Sequence, residues 1–181
     1  VDLSASFTAK VLTEALFTCR AWLRRGLQVP VSVNVTAHCL MRPQFAFEVA
    51  DLLTRHGVPA HLLCLEITED TLVADPAAVA EVLSVLKATG VRTSIDDFGT
   101  GFSSLSYLRQ LPIDELKIDR SFILAMFPHG LDAPADDTLV ATIVDLGHRL
   151  GMHVVAEGVE HPEELGALTR LGCDSVQGYL Y

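Results

Sequence analysis

The chain has 181 residues, enough for one domain with a core of its own. Half of it is apolar and 20% is charged, an ordinary globular composition. With 13 basic against 23 acidic residues the formal net charge is −10, which argues against a binder of DNA, RNA or anionic membranes; an anionic substrate would need a cation to bring it in.

From the N-terminus, residues 8–25 carry apolar positions at Val11, Leu12, Ala15, Leu16, Cys19 and Leu23, a helical stripe. A first strand follows at 31–35, V-S-V-N-V, with the valines on one face and Ser32 and Asn34 on the other. A helix at 45–56 stops at Gly57, with Pro59 beyond. The strand at 62–67 sets Leu63, Leu65 and Ile67 against Cys64 and Glu66. Asp75 and Pro76 open a helix over 76–89 that closes at Gly90. A third strand at 91–95 sets Thr93 and Ile95 against Ser94 and the following Asp96. In the strand at 115–118, Leu116 and Ile118 oppose Lys117. Residues 128–137, P-H-G-L-D-A-P-A-D-D, read as one long loop, and 138–150 as a helix. A strand at 153–156 leads into Glu157, a helix spans 162–171, and a last strand at 174–177 ends on Gln177.

Strands alternating with helices predict βαβ units and a parallel sheet. Each of the six strands brings a polar residue to its C-terminal end, on the face opposite its apolar set: Asn34, Glu66, Asp96, Lys117, Glu157 and Gln177. In a (β/α) barrel such ends converge on one mouth, whereas an open sheet spreads them along an edge, so the barrel is favoured. A full barrel has eight strands over ~250 residues. About two strands are therefore expected to be missing, on the N-terminal side.

Glu66, Asp96, Asp97 and Glu157 offer hard anionic oxygens and Asn34 an amide oxygen, a set that suits Mg²⁺ or Mn²⁺ better than zinc. The chain should turn at Phe98-Gly99, so that Asp96 and Asp97 both face the mouth and serve two cations ~3.5–4 Å apart. Lys117 would offset the repulsion among these acids and orient a water. Taken singly, each residue also has a structural explanation, and an enolase-like barrel with a lysine base is a physical alternative. G-T-G-F-S-S lacks the third glycine of a dinucleotide fingerprint, which excludes NAD binding. Cys19, Cys39, Cys64 and Cys173 form no C-x-x-C pair and read as reduced thiols. With no apolar run of ~18 residues and no signal peptide, a cytoplasmic location is expected, possible also for a domain of a membrane-bound parent.

The segment D-D-F-G-T-G-F-S-S-L-S-Y-L-R-Q-L-P-I-D-E-L-K-I-D-R-S-F at 96–122 resembles the signature of bacterial EAL-domain phosphodiesterases specific for cyclic-di-GMP. S-V-N-V-T-A, L-E-I-T-E, V-V-A-E-G-V-E and V-Q-G-Y-L match in the same order. The resemblance implies a modified (β/α)₈ TIM-type barrel, and hydrolysis of cyclic-di-GMP to linear pGpG with Mg²⁺ or Mn²⁺, inhibited by Ca²⁺. By motif, Asn34, Glu66, Asp96 and Asp97 match metal ligands and Glu157 a ligand or base. Lys117 matches a lysine that contacts the attacking water, Glu69 a glutamate that anchors the loop after Asp97, and Glu160 and Gln177 further site residues. A homodimer, and upstream diguanylate-cyclase (GGDEF) or sensor domains in the parent, are expected. Residues 1–181 then form the domain without its first two strands, and with them the E-A-L motif and a nearby substrate-holding arginine. The tripeptide E-A-L at 14–16 lies in the helical stripe and is coincidental. A shortened domain that binds cyclic-di-GMP or a protein without catalysis is the alternative reading.

Overall fold

The computed structural model describes residues 3–69, 71, 75–99, 105–127 and 136–180. Six strands are present: β1 Val31–Val35, β2 Leu63–Thr68, β3 Arg92–Phe98, β4 Glu115–Ile118, β5 His153–Glu157 and β6 Ser175–Gln177. They follow sequence order in the sheet. β1 pairs with β2, β4 with β5 and β5 with β6, all parallel. Each such step carries a helical crossover, as parallel strands require, and the fold is α/β of the TIM-barrel kind. The chain divides into two compact units, Val1–Ser94 with Ser103–Ile113, and Ile95–Phe102 with Asp114–Tyr181.

In the first unit the opening helix, Leu3–Leu23, buries Thr8, Leu12, Leu16 and Cys19. The spacing of these four residues is one face of a 3.6-residue repeat. Leu16, the last residue of the E-A-L tripeptide, is thus a core residue of a helix, as the stripe implied. The helices Phe45–His56 and Pro76–Thr89 run between the bounds read from the sequence. The Asp75 carboxylate accepts the Ala78 N–H at 3.2 Å, so the second helix has the cap its sequence advertises. In β1, Val33 and Val35 are buried while Ser32 and Asn34 are exposed. β2 is buried along Leu63–Ile67, Glu66 included, as expected of a barrel-type strand covered on both faces.

In the second unit the helix Thr138–Arg149 lies over β4 and β5 and buries Val140, Ile143 and Val144. Leu116, Ile118, Val154 and Ala156 are fully buried beneath it. The helix Pro162–Arg170 buries Ala167 and Leu168.

Three short helices escape sequence reading: Ala37–Leu40, Leu105–Leu108 and Arg120–Ala125. One or two turns hold too few residues to display a period. The loop expected over 128–137 lies outside the described residues except for Asp136 and Asp137. Strand β3 runs three residues past its expected end, through both aspartates to Phe98.

Candidate active site

The extended end of β3 carries a local irregularity. Successive side chains of a strand point to opposite faces, which should separate Asp96 from Asp97. Asp97, however, has φ 54°, the only positive value among the described non-glycine residues. Aspartate is one of the few side chains that tolerate this left-handed region, at a cost of about 1–3 kcal/mol. The reversal brings the second carboxylate round to its neighbour's side. It occurs at Asp97 itself, and Gly99, at φ 96°, continues it. The expected turn is therefore real but starts one residue earlier than Phe98-Gly99 suggests.

Ligand oxygens of Asp96, Asp97 and Glu157 lie within 4.8 Å of one another. Lys117, only 4% exposed, reaches into this group from β4. Its Nζ donates to Asp96 Oδ1 at 3.1 Å and also pairs with Glu157 Oε1. Burial, and then the Asp96 and Asp119 carboxylates, push the Asp97 carboxyl above its ordinary range, with Lys117 pulling weakly the other way. Three acids and one ammonium leave an excess of negative charge, the electrostatic condition for holding a cation. All-oxygen donors suit Mg²⁺ or Mn²⁺, so the residues present fit a hard divalent ion.

Three residues beyond each member of the Lys117–Glu157 pair lies a second ion pair. Arg120 Nη2 meets Glu160 Oε1 at 2.8 Å. Between the two pairs sits Gly158, at φ 70°, where an added Cβ would come within 2.5 Å of Arg120 Cγ. Only glycine admits both this backbone and the arginine stem laid across it. The loop is tied from below as well. Buried Glu164 accepts the Glu160 and His161 N–H groups on Oε2, at 2.8 and 3.1 Å.

Glu160 thus stands beside the cluster by way of Arg120, and Gln177 is the Cα partner of Glu157 across β5 and β6. In the first unit, Asn34 and Glu66 are Cα partners in the β1–β2 register, and Glu69 lies buried just past the end of β2. The loop that Glu69 was expected to anchor falls at 100–104, outside the described residues. Sequence reading missed Arg120. Its one signal is the I-D-R-S turn, where Asp119 Oδ1 accepts the Ser121 N–H at 3.0 Å and opens the short helix.

An α/β barrel-type domain with an acidic, lysine-bridged cluster at its strand ends is the class these features define. The EAL domain family model matches residues 1–181, and the chain belongs to the EAL domain family. It is 45% identical over 172 residues to the bifunctional diguanylate cyclase/cyclic di-GMP phosphodiesterase MucR of Pseudomonas aeruginosa, covering 94% of this chain and 24% of MucR. It is 44% identical over 154 residues to the cyclic di-GMP phosphodiesterase NbdA of the same species, covering 83% of this chain and 19% of NbdA. The solved PaMucR phosphodiesterase, in complex with c-di-GMP, matches with a TM-score of 0.88 at 43% identity, over 97% of this chain and 70% of that one. The chain therefore spans about a quarter or less of the length of these two curated relatives. Among the described residues no helix is long and apolar enough to cross a membrane.

Proposed function

We propose that this chain is the hydrolytic part of a cyclic-di-GMP phosphodiesterase, cutting one phosphodiester bond to give linear pGpG with Mg²⁺ or Mn²⁺. The observation that carries the reading is the convergence of Asp96, Asp97 and Glu157 around buried Lys117 in a member of the EAL domain family.

Asp96, Asp97 and Glu157 would hold the metal pair, with Asn34 and Glu66 as the further oxygens that the family resemblance assigns. Cations bound there would screen the phosphate charge and make an attacking water more acidic. The remaining work belongs to the chain. Lys117 fixes Asp96 and Glu157 in one geometry and would orient a water against the phosphorus. Glu157 would take up the proton that the water releases. Its carboxylate is held by Lys117 and its loop by the Arg120–Glu160 pair, so it does not swing away. Glu69 would keep the loop after Asp97 in place.

The test is hydrolysis of cyclic-di-GMP with Mn²⁺, followed by chromatography of pGpG, in the longest natural form of the protein. The parent should turn over, and Asp97→Asn should lower turnover at least a hundredfold while leaving the melting temperature within a few degrees. Equal turnover by the parent and Asp97→Asn would refute the reading.

A further inference from the structure

On the helix Leu3–Leu23, Phe17, Arg20 and Ala21 follow the i, i+3, i+4 spacing of one face, distinct from the buried stripe of Leu12, Leu16 and Cys19. Arg24 extends that face by a further turn, because its N–H still donates to the Arg20 carbonyl at 3.1 Å past the helix end. Arg55 and His56, the last two residues of the helix Phe45–His56, meet this face. The six residues line a pocket of about 330 Å³, near the lower end of the range for small-molecule sites. It lies wholly in the first unit and shares no residue with the carboxylate cluster.

Basic residues at helix C-termini usually answer the macrodipole. That does not account for this group. Arg20 and Arg24 are like charges four residues apart, a spacing that works against the helix. Although the chain has 23 acidic residues, neither arginine has a carboxylate within ion-pair distance among the described residues. Of the three arginines Arg55 alone is paired, with Asp51 at 2.6 Å. The Phe17 ring, 65% exposed, stands on the same wall. In a chain of net charge −10, three guanidiniums and a bare aromatic ring around one pocket reverse the field locally. An anion held among the guanidiniums turns their repulsion into attraction, and their planar forks match phosphate oxygens two at a time.

We infer that this pocket binds a nucleotide, with its phosphates among Arg20, Arg24 and Arg55 and its base stacked on Phe17. The phosphates follow from the guanidiniums and the base from the ring. The inference stands apart from the reading of the carboxylate cluster, and neither needs the other. Loss of two charge-assisted contacts corresponds to about a tenfold or greater loss of affinity, and loss of one stacked base to about fivefold or more.

The experiment is calorimetry on the longest natural form of the protein, in EDTA, so that no metal at the carboxylate cluster can hold a phosphate. The probes are ATP, inorganic pyrophosphate, adenosine and a polyglutamate peptide. The proteins are the parent, the double variant Arg20→Gln/Arg24→Gln, and Phe17→Ala. The parent should bind ATP more tightly than pyrophosphate, and adenosine weakest of the three. The double variant should lose about tenfold or more toward both ATP and pyrophosphate. Phe17→Ala should lose about fivefold or more toward ATP and stay within twofold of the parent toward pyrophosphate. The urea midpoint of the double variant should not fall, since the substitution relieves a like-charge contact. A parent that binds neither ATP nor pyrophosphate overturns the site, and so does unchanged ATP affinity in the double variant. Pyrophosphate bound as tightly as ATP, or polyglutamate bound more tightly, overturns the nucleotide assignment.

Discussion

Lys117→Met removes the ammonium that bonds Asp96 and Glu157 and keeps most of the length of the side chain. At 3.1 Å, with an effective dielectric of about 20, each unit-charge contact is worth ~5 kcal/mol before desolvation. Burying the ammonium offsets much of that. Removing one partner of a buried pair costs about 3–5 kcal/mol, because the other charge is left uncompensated. Here the carboxylates keep some water, with the Asp96 and Glu157 side chains 14% and 19% exposed. The expected loss of stability is therefore about 2–3 kcal/mol, read by urea unfolding in EDTA. Adding Asp96→Asn should return part of it, with a coupling of roughly 1–2 kcal/mol. Lysine and a divalent cation compete for the same oxygens, so Mn²⁺ should bind Lys117→Met several-fold more tightly and stabilise it more than the parent. Turnover should fall in the same variant. A loss below ~0.5 kcal/mol in EDTA, or weaker Mn²⁺ binding, would refute the reasoning.

Two further predictions concern the scaffold. Gly147→Ala gains about 1 kcal/mol of helix propensity, but the new Cβ would lie 2.5 Å from Val154 Cγ2 in the core. Overpacking of that kind costs about 1–3 kcal/mol, so a thermal melt should show net destabilisation; a raised melting temperature would contradict it. At the same end of β5, burial resists ionisation of Asp174. The Val154 N–H, His148 and His153 outweigh burial and hold its carboxyl below the ordinary range. A depressed carboxyl stabilises the fold above its unfolded pKa of ~3.9, and that contribution is lost as the pH falls through the lower folded value. Asp174→Asn should melt below the parent at pH 5 to 6 and converge with it toward pH 3; a constant offset across the range would rule this out.

The fold was legible because strand period and helix stops repeat often enough to reinforce one another. Five helices and six strands fall close to the spans read from residues alone, and the polar ends of β3, β4 and β5 do meet around Lys117. The strand alternation could place Asp96 but not Asp97. Period-2 reasoning sends neighbours apart, and the left-handed residue that reunites them leaves only the weak trace that aspartate is permitted there. Arg120 was invisible for a different reason. Its significance lies in what stands across from it, Glu160, and that neighbour is brought near by the sheet, not by sequence spacing.

Asp97 couples charge to conformation, and this restricts which substitutions at that position can be interpreted. Alanine, glutamate or serine there would each remove the native carboxylate placement and also pay the left-handed backbone penalty without an aspartate's tolerance for it. A lost activity in those variants would report two effects at once. Asparagine shares both the shape and the tolerance, so Asp97→Asn isolates the charge, whereas glycine keeps the backbone conformation and removes the whole side chain. Related chains that vary at this position should therefore draw on a short alphabet of Asp, Asn and Gly, including members in which the metal chemistry has been given up.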